Sequence, residues 1–178
     1  MKETYTITAF SENHIGLLNR ITIIFTRRHI NIESLTVSST EMKGIHRFTI
    51  VVEEEEKQVI KVVNQIEKLT EVLRAEYYLN DEIVYREIAL YKIPIDTAIN
   101  KNIEQILREF NAHMVDIQDV YVIIENTGHI DDTEKLYEML KPYGILQFVR
   151  SGRISISKQK KELVNYLKEL PINEYVKE

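Results

Sequence analysis

The sequence predicts an α+β protein made of two tandem units, each an antiparallel four-stranded sheet with two helices on one face. Three observations support this fold class. Segments in which apolar side chains recur at every second residue, as in strands, alternate with segments of helical spacing. The order strand, helix, strand, strand, helix, strand occurs twice along the chain. The chain has 178 residues, which is enough for two small domains.

The first unit shows this order clearly. Residues 4–10 alternate between Thr and apolar side chains, and the glycine of Glu41–Gly44 suits a hairpin turn that needs a positive φ. The four predicted strands span residues 4–10, 32–38, 45–52 and 72–79. The two predicted helices carry the apolar stripes Leu17, Leu18, Ile21, Ile24, Phe25 and Val59, Val62, Val63, Ile66, Leu69.

The second unit repeats the order less regularly. Asn126-Thr127-Gly128 has the composition of a turn, and Asp131–Thr133 predicts the cap of a helix that ends at Leu140. The predicted strands span residues 84–93, 114–118, 120–124 and 145–150. The predicted helical stripes are Ile99, Ile103, Ile106, Leu107, Phe110 in the first helix and Leu163, Tyr166, Leu167, Leu170 in a further helix after Lys158–Lys161.

This order of elements is that of the ferredoxin-like fold. We therefore predict two tandem ferredoxin-like βαββαβ units, with the helices of each on one face of its sheet. The predicted domains are residues 1–80 and residues 83–178, and the second includes the extra C-terminal helix. A short link near Asn80–Glu82 joins them.

Composition and charge exclude several functions. Apolar residues make up 44% of the chain and charged residues 29%, as in ordinary globular proteins. The absence of cysteine excludes disulfides, thiolate catalysis and cysteine-containing zinc sites. A formal net charge of −5 argues against binding to nucleic-acid backbones. Neither a secretory signal nor an apolar run of about 20 residues is apparent, so we expect a cytoplasmic protein.

Motifs of catalysis and metal binding are missing from the sequence. The five histidines show no metal-ligand spacing, and the chain contains no HExxH, GxSxG, Walker or GxGxxG motif. The third predicted strand includes His46–Ile50, whose single aromatic residue does not match the stacking pattern of RNA-binding sheets. We therefore expect neither an enzyme nor a nucleic-acid-binding protein.

The best candidate for a site is the connection between the first strand and the first helix, Glu12–Gly16. A helix N-terminus offers unpaired N–H groups and a partial positive charge that attract a carboxylate. Gly16 lacks a Cβ and lets a ligand approach the backbone, while Asn13 could cap the helix or offer its amide. An ordinary capped connection, with Gly16 required only by turn geometry, explains the same residues.

Asn31, which opens the second strand, is the second candidate. It has an equally ordinary interpretation, because asparagine tolerates the left-handed φ of a turn. In a side-by-side dimer, however, the loop of one chain can face the second strand of its partner. Amide and backbone groups from both chains would then surround one small zwitterion.

The motifs resemble a known family. Glu12–Ile21, ENHIGLLNRI, resembles the ENxxGxLxR start of an ACT domain, and residues 25–37, FTRRHINIESLTV, are similar to a run typical of the acetolactate synthase small-subunit family. Arg86–Ile93, REIALYKI, and Arg150–Gly152, RSG, are similar to later motifs of that family. The resemblance spans almost the whole chain, in order and at matching spacing.

This resemblance implies a non-catalytic regulatory subunit of acetolactate synthase in branched-chain amino-acid synthesis. Residues 1–80 would be an ACT domain that dimerises and binds an amino-acid effector, valine being expected. The catalytic large subunit would be the partner and would carry thiamine diphosphate, Mg²⁺ and FAD, with no cofactor in this chain. The implied effector-binding residues are Asn13, His14, Ile15, Gly16, Leu17, Leu18, Asn31 and Ile32.

Two departures from the family pattern concern this site. His29 stands where the family usually has glycine, and we expect it to strain the end of the first helix. Leu17 replaces a small residue after Gly16 and would narrow the pocket. The alternative function is a stand-alone amino-acid sensor of two ACT-like units, similar to a glycine-cleavage regulator.

Overall fold

The computed structural model describes residues 1–98 and 101–159, and within them the predicted order of strands and helices occurs twice. In the first unit the elements are β1 (Glu3–Glu12), α1 (Leu17–Thr26), β2 (Ser34–Ser39), β3 (Ile45–Glu54), α2 (Glu56–Ile66) and β4 (Val72–Leu79). In the second they are β5 (Ile83–Pro94), α3 (Ile95–Ala98), α4 (Lys101–Glu109), β6 (His113–Ile117), β7 (Tyr121–Gly128), α5 (Ile130–Leu140) and β8 (Gln147–Arg150), and a short strand β9 (Ile154–Ser157) follows.

The four main strands of each sheet follow the same order, and β9 additionally pairs with β5. The strand order is β2-β3-β1-β4 in the first and β6-β7-β5-β8 in the second, and the pairs within each order are antiparallel. Both orders place the first strand of the unit between the third and the fourth, as a βαββαβ unit requires. The prediction of two tandem ferredoxin-like units is therefore confirmed.

The core of the first unit lies between its sheet and the two helices. Tyr5, Ile7 and Ala9 alternate along β1 and face the helices, as the period of two predicts. Leu17, Ile21 and Phe25 of α1 pack into the same core and are at most 2% exposed. Burial of each such large side chain contributes about 2 kcal/mol to the stability of the fold. Because the apolar side chains of β1 lie on one face, that face packs against the helices.

The core of the second unit is built in the same way around Tyr91. This residue is fully buried, its ring lies 5.2 Å from that of Phe148, and its hydroxyl donates to the carbonyl of Thr133 at 2.6 Å. Because a buried hydroxyl without a partner is costly, this hydrogen bond is what makes a tyrosine acceptable there.

The predicted turn at Asn126–Gly128 is wrong, because these residues form the last part of β7. Asn126 pairs with Ala89 of β5, and its Nδ2 donates to the carbonyl of Phe110 at 2.8 Å. Gly128 is required by packing, because a Cβ there would lie 2.9 Å from that of Asp132. Turn-forming residue types therefore occur here for tertiary reasons.

The start of α5 also differs from the prediction by a few residues. The helix begins at Ile130, and its N-terminal flanking residue is His129 rather than one of Asp131–Thr133. The carboxylate of Asp132 accepts a hydrogen bond from the backbone N–H of His129 at 3.1 Å. Asp132 thus stabilises the helix start from within its first turn, where a negative charge is favourable.

The described residues divide into two compact units, one made of Met1–Val84 together with residues 153–159, the other lying within Tyr85–Gly152. Arg153 is 4% exposed, and its Nη1 donates to Thr6 Oγ1 and to Asn80 Oδ1, both at 2.9 Å. Residues 153–159 therefore pack with the first unit, whereas the sequence prediction placed them in the second domain, residues 83–178. The predicted helix with Leu163, Tyr166, Leu167 and Leu170 lies outside the described residues, as does Ile99.

None of the helices in residues 1–98 and 101–159 combines the length and the apolarity that crossing a bilayer requires.

Candidate functional site

The loop between β1 and α1 is exposed but held at its beginning. Asn13, His14, Ile15 and Gly16 are all exposed. The backbone N–H of Glu12 donates to the carbonyl of Glu71, and that of Asn13 donates to the carbonyl of Gly44, each at 2.9 Å. These two hydrogen bonds fix where the chain leaves the sheet, so the loop has a defined position while its side chains remain accessible.

Gly16 is the N-terminal flanking residue of α1 and has a left-handed conformation, with φ of 85°. This φ by itself favours glycine, so the geometry of the turn is sufficient to explain why the residue is a glycine. The space beside it is nevertheless open, because a Cβ at this position would meet no atom within 4 Å. A ligand can therefore approach the end of the helix from this side.

The first turn of α1 retains unpaired backbone donors. The N–H of Leu17 donates to the His14 carbonyl at 3.3 Å, and that of Arg20 donates to the Gly16 carbonyl at 3.2 Å. In the described part of the chain the N–H groups of Leu18 and Asn19 have no acceptor. No side chain caps the helix, so Asn13 does not take the capping role. Free N–H groups and the helix dipole together favour a carboxylate here.

The apolar residues of the loop and first turn differ in exposure. Ile15 is fully exposed and Leu18 is 46% exposed, so both are available to a ligand or to a second chain. Leu17 is 2% exposed and its side chain belongs to the core beneath the loop. In the single chain, therefore, only the backbone of Leu17 lies at the candidate site.

Asn31 and Ile32 lie between α1 and β2, the edge strand of the first sheet. Asn31 is exposed and its Nδ2 donates to Glu33 Oε1 at 2.7 Å, while Ile32 is partly buried against the core. The hydrogen bond that Asn31 makes among the described residues is therefore with Glu33 and not with the loop, whose Glu12 and Asn13 N–H groups donate to Glu71 and Gly44.

His29 adopts the left-handed conformation that its position requires. Its φ is 55°, and the N–H of Ile30 donates to the carbonyl of Phe25 at 3.1 Å, which closes the end of α1. A side chain with a Cβ is unfavourable at this φ by about 1 kcal/mol. The strain expected from histidine in place of glycine is therefore present at the turn that leads to Asn31.

Glu71 is a positioning residue that the sequence did not indicate. Besides its bond to Glu12 through the backbone, its Oε1 lies 2.5 Å from Nη1 of Arg20 on α1. The hydrogen bond from Arg20 lowers the pKa of the Glu71 carboxyl. Glu71 thus connects the start of β4 to both β1 and α1, and no local pattern marks it because both partners are more than 50 positions away.

The two late motifs of the second unit meet in the structure. Glu87 is 5% exposed and its Oε2 lies 3.4 Å from Nε of Arg150, which also lies 3.2 Å from Glu134. Ser151 Oγ accepts the N–H of Ile88 at 2.9 Å. The arrangement joins β5 to β8, so these residues have a structural role within the unit.

Acidic and histidine side chains do not form a metal centre in residues 1–98 and 101–159, where no group of three or more could hold an ion.

Comparisons with known proteins agree with this architecture. The family profile described as an AHAS small subunit-like ACT domain matches residues 7–74, and the one described as the small subunit of acetolactate synthase matches residues 86–159. The acetolactate synthase small subunit of Bacillus subtilis is 39% identical over 159 residues, covering 89% of this chain and 91% of that protein. That of Mycolicibacterium smegmatis is 36% identical over 155 residues, covering 87% and 91%.

A solved structure shows the same fold across both units. The acetolactate synthase small subunit from Thermotoga maritima superposes with a TM-score of 0.80 at 26% identity, covering 89% of this chain and 99% of that chain. The tandem fold, the profile matches in both units and the relatives at more than 30% identity agree. The chain therefore belongs to the family of acetolactate synthase small subunits, with an ACT domain in its first unit.

Proposed function

We propose that the chain is a non-catalytic regulatory subunit that activates a separate catalytic acetolactate synthase subunit and makes it sensitive to feedback by valine. Membership of the small-subunit family supports the association with a catalytic subunit. The observation that carries the effector site is the open N-terminus of α1, where two backbone N–H groups lack an acceptor beside an exposed asparagine.

The effector's carboxylate would accept hydrogen bonds from the N–H groups of Leu18 and Asn19. Gly16 leaves the approach to these groups open. Asn13 would bind the effector from the same chain, while Asn31 would reach it from the partner, since β2 is an edge strand that a second chain can approach. Amide oxygens and backbone carbonyls suit the ammonium group, so both ends of a zwitterion find partners.

The exposed apolar side chains fit a branched effector. Ile15 and Leu18 lie on either side of Gly16, and both are accessible. Burying an isopropyl group against such side chains contributes about 2 kcal/mol. His14 and Ile32 would complete the surroundings, whereas the side chain of Leu17 supports the loop from below.

An effector held by two chains can transmit a signal. It binds best to the dimer geometry in which the loop and the partner's Asn31 are closest, so it stabilises that geometry relative to others. Only such a difference in affinity can change the state of a bound catalytic subunit. The thiamine diphosphate, Mg²⁺ and FAD of the reaction would belong to that catalytic subunit.

Reconstitution with the cognate catalytic subunit tests the proposal. We expect the chain to co-purify with the catalytic subunit and raise its activity, and valine to reduce that gain. A stand-alone amino-acid sensor would bind its effector but would neither associate with the enzyme nor activate it.

Asparagine variants test the effector site itself. Asn13→Ala and Asn31→Ala should each weaken valine binding by about tenfold, since each loses a hydrogen bond to a charged group, and the dimer should remain. Titration calorimetry on the full chain measures this. Asn64→Ala, an exposed asparagine on α2, is the matched control and should bind valine normally. Unchanged affinity in both test variants would exclude the site.

A further inference from the structure

The face of the first sheet opposite its helices carries a cavity of about 680 Å³. Side chains of β1, β2, β3, β4 and β9 line it, and all of them belong to the first unit. The volume is in the range of small-molecule sites. Residues 13–18 do not line this cavity, so it is separate from the loop proposed to bind an amino acid.

Three buried polar atoms of the cavity wall lack a hydrogen-bond partner within the described residues. They are Thr36 Oγ1 on β2, Arg47 Nε on β3 and Ser155 Oγ on β9. Buried polar groups in folded proteins are nearly always hydrogen-bonded, so each exception needs an explanation. Three exceptions from three strands that line one cavity have a common explanation if the cavity holds a ligand that accepts hydrogen bonds.

Arg47 makes no ion pair within residues 1–98 and 101–159, although the exposed Glu41 also lines the cavity and acts on it at longer range. Its Nη2 makes a long contact of 3.5 Å to Thr8 Oγ1, and its Cζ lies 5.5 Å from the ring centre of Phe10. Burial lowers the pKa of Arg47, which means that its charged form is poorly solvated.

The second arginine of the cavity, Arg74, differs because it pairs with Glu76. Tyr78 also donates to Glu76, at 2.6 Å. These three residues therefore satisfy one another on β4. Of the two arginines that line the cavity, Arg47 is therefore the one without an ion pair among the described residues, and its charge is available to a ligand.

We propose that this cavity binds a small organic anion through its carboxylate or phosphate group. The oxyanion accepts hydrogen bonds from Arg47 Nε and from the hydroxyls of Thr36 and Ser155, and an apolar part lies against Phe10 and Ile156. Guanidinium groups bind carboxylates and phosphates with short, charge-assisted hydrogen bonds, which matches the donors available.

Binding of simple anions to the full-length protein tests this proposal. Inorganic phosphate and succinate are titrated separately, by calorimetry and by nitrogen-15 NMR of the arginine Nε–H signals. We expect saturable binding of one or both, with a shift of the Arg47 signal. Binding of phosphate but not succinate would indicate that the ligand is a phosphate ester, and binding of succinate but not phosphate that it is a carboxylic acid. Either result supports the site.

Matched variants locate the binding. Arg47→Gln should weaken it by about tenfold or more, because a charge-assisted hydrogen bond is lost. Arg27→Gln, an exposed arginine outside the cavity, should leave it unchanged. The double variant Thr36→Val with Ser155→Ala keeps the charge and should also weaken binding, which covers the case in which Arg47→Gln does not fold.

Two results would overturn the proposal. One is the absence of binding of both anions, with the Arg47 signal unmoved. The other is an equal dissociation constant in wild type, in Arg47→Gln and in the double variant. Neither result bears on valine binding at residues 13–18, which is measured separately.

Discussion

Two buried tyrosines, Tyr78 and Tyr91, lead us to expect that the stability of the protein falls at alkaline pH. Tyr78 is 7% exposed, and burial, together with its hydrogen bond to Glu76, raises its pKa from 10.0 to about 12. Burial raises the pKa of Tyr91 as well. Both tyrosines thus hold their protons in the folded protein at a pH where the unfolded chain loses them.

The sign of the effect on stability follows from proton binding. Below pH 10 the tyrosines are neutral in both states, and their full contribution is present. Between pH 10 and about 12 the unfolded state binds fewer protons at Tyr78, so the free energy of unfolding falls by up to about 1.4 kcal/mol per pH unit. Urea unfolding from pH 9 to 12 should show a shallower decline in Tyr78→Phe. An identical slope in wild type and variant would contradict this.

Leu17 and Leu18 show that two adjacent residues of the same type can have different environments. Leu17 follows Gly16 directly, yet its side chain packs into the core while Leu18 is exposed. Consecutive residues of an α-helix point in directions that differ by about 100° around its axis. The Leu17 side chain, which was expected to narrow an effector pocket, therefore lies in the core of the first unit rather than among the exposed residues of the loop.

At the scale of elements, a left-handed residue lies on each side of α1. Gly16 has a φ of 85° before the helix, and His29 has a φ of 55° after it. Glycine adopts this conformation without steric cost, whereas a residue with a Cβ, such as histidine, adopts it at a steric cost. The helix that connects the two proposed effector segments is therefore favourable at its first end and strained at its second.

Replacing His29 should relieve this strain. His29→Gly should raise the free energy of unfolding by about 0.5 to 1 kcal/mol, because the gain at positive φ exceeds the entropy cost of glycine. The midpoint of thermal unfolding should rise by about 2 °C. His29→Ala is the matched control, since it removes the imidazole but keeps the Cβ and should give no gain. A loss of stability in His29→Gly would show that the imidazole itself stabilises the turn.

At the scale of the whole molecule, the chain returns to its first unit after the second. Arg153 anchors this return through Thr6 and Asn80, and its backbone N–H donates to Ser34 Oγ at 3.1 Å. Further along, Lys158 Nζ donates to the carbonyl of Asp81 at 2.7 Å. Residues 153–159 thereby cover polar side chains of a sheet face that the helices leave open.

Loss of the Arg153 side chain should loosen this segment. Arg153→Met leaves the buried Thr6 hydroxyl and the Asn80 amide without their donor, so we expect a loss of about 2 kcal/mol in the free energy of unfolding. Amide hydrogen exchange of residues 153–159 should become faster. Arg108→Met is the control, because Arg108 is exposed and its contact with Glu104 contributes little. Equal stability of the two variants would contradict the anchoring role.

Much of the fold follows from local patterns. The alternation in β1 and the stripes of α1 and α2 identify the core faces, because burial of apolar side chains dominates their placement. The prediction failed at Asn126–Gly128, where the residue types suit a turn. Asn126 is instead required for its hydrogen bond to the Phe110 carbonyl, and Gly128 because the helix α5 lies too close for a Cβ. The loop Glu12–Gly16 could be predicted as a candidate site because a helix N-terminus and a glycine are local features, whereas the role of Glu71 depends on long-range contacts and could not be predicted.

The sequence by itself determined the tandem βαββαβ order, the family, and the loop at the start of α1, since all three depend on spacing within short segments. Only the tertiary structure decided that Leu17 is buried while Leu18 is exposed, that Arg153 joins the first unit and that Thr36, Arg47 and Ser155 line one cavity. These facts depend on contacts between elements that are far apart in the chain. Such contacts are set by the packing of each unit as a whole and leave no periodic signal in the residues that make them.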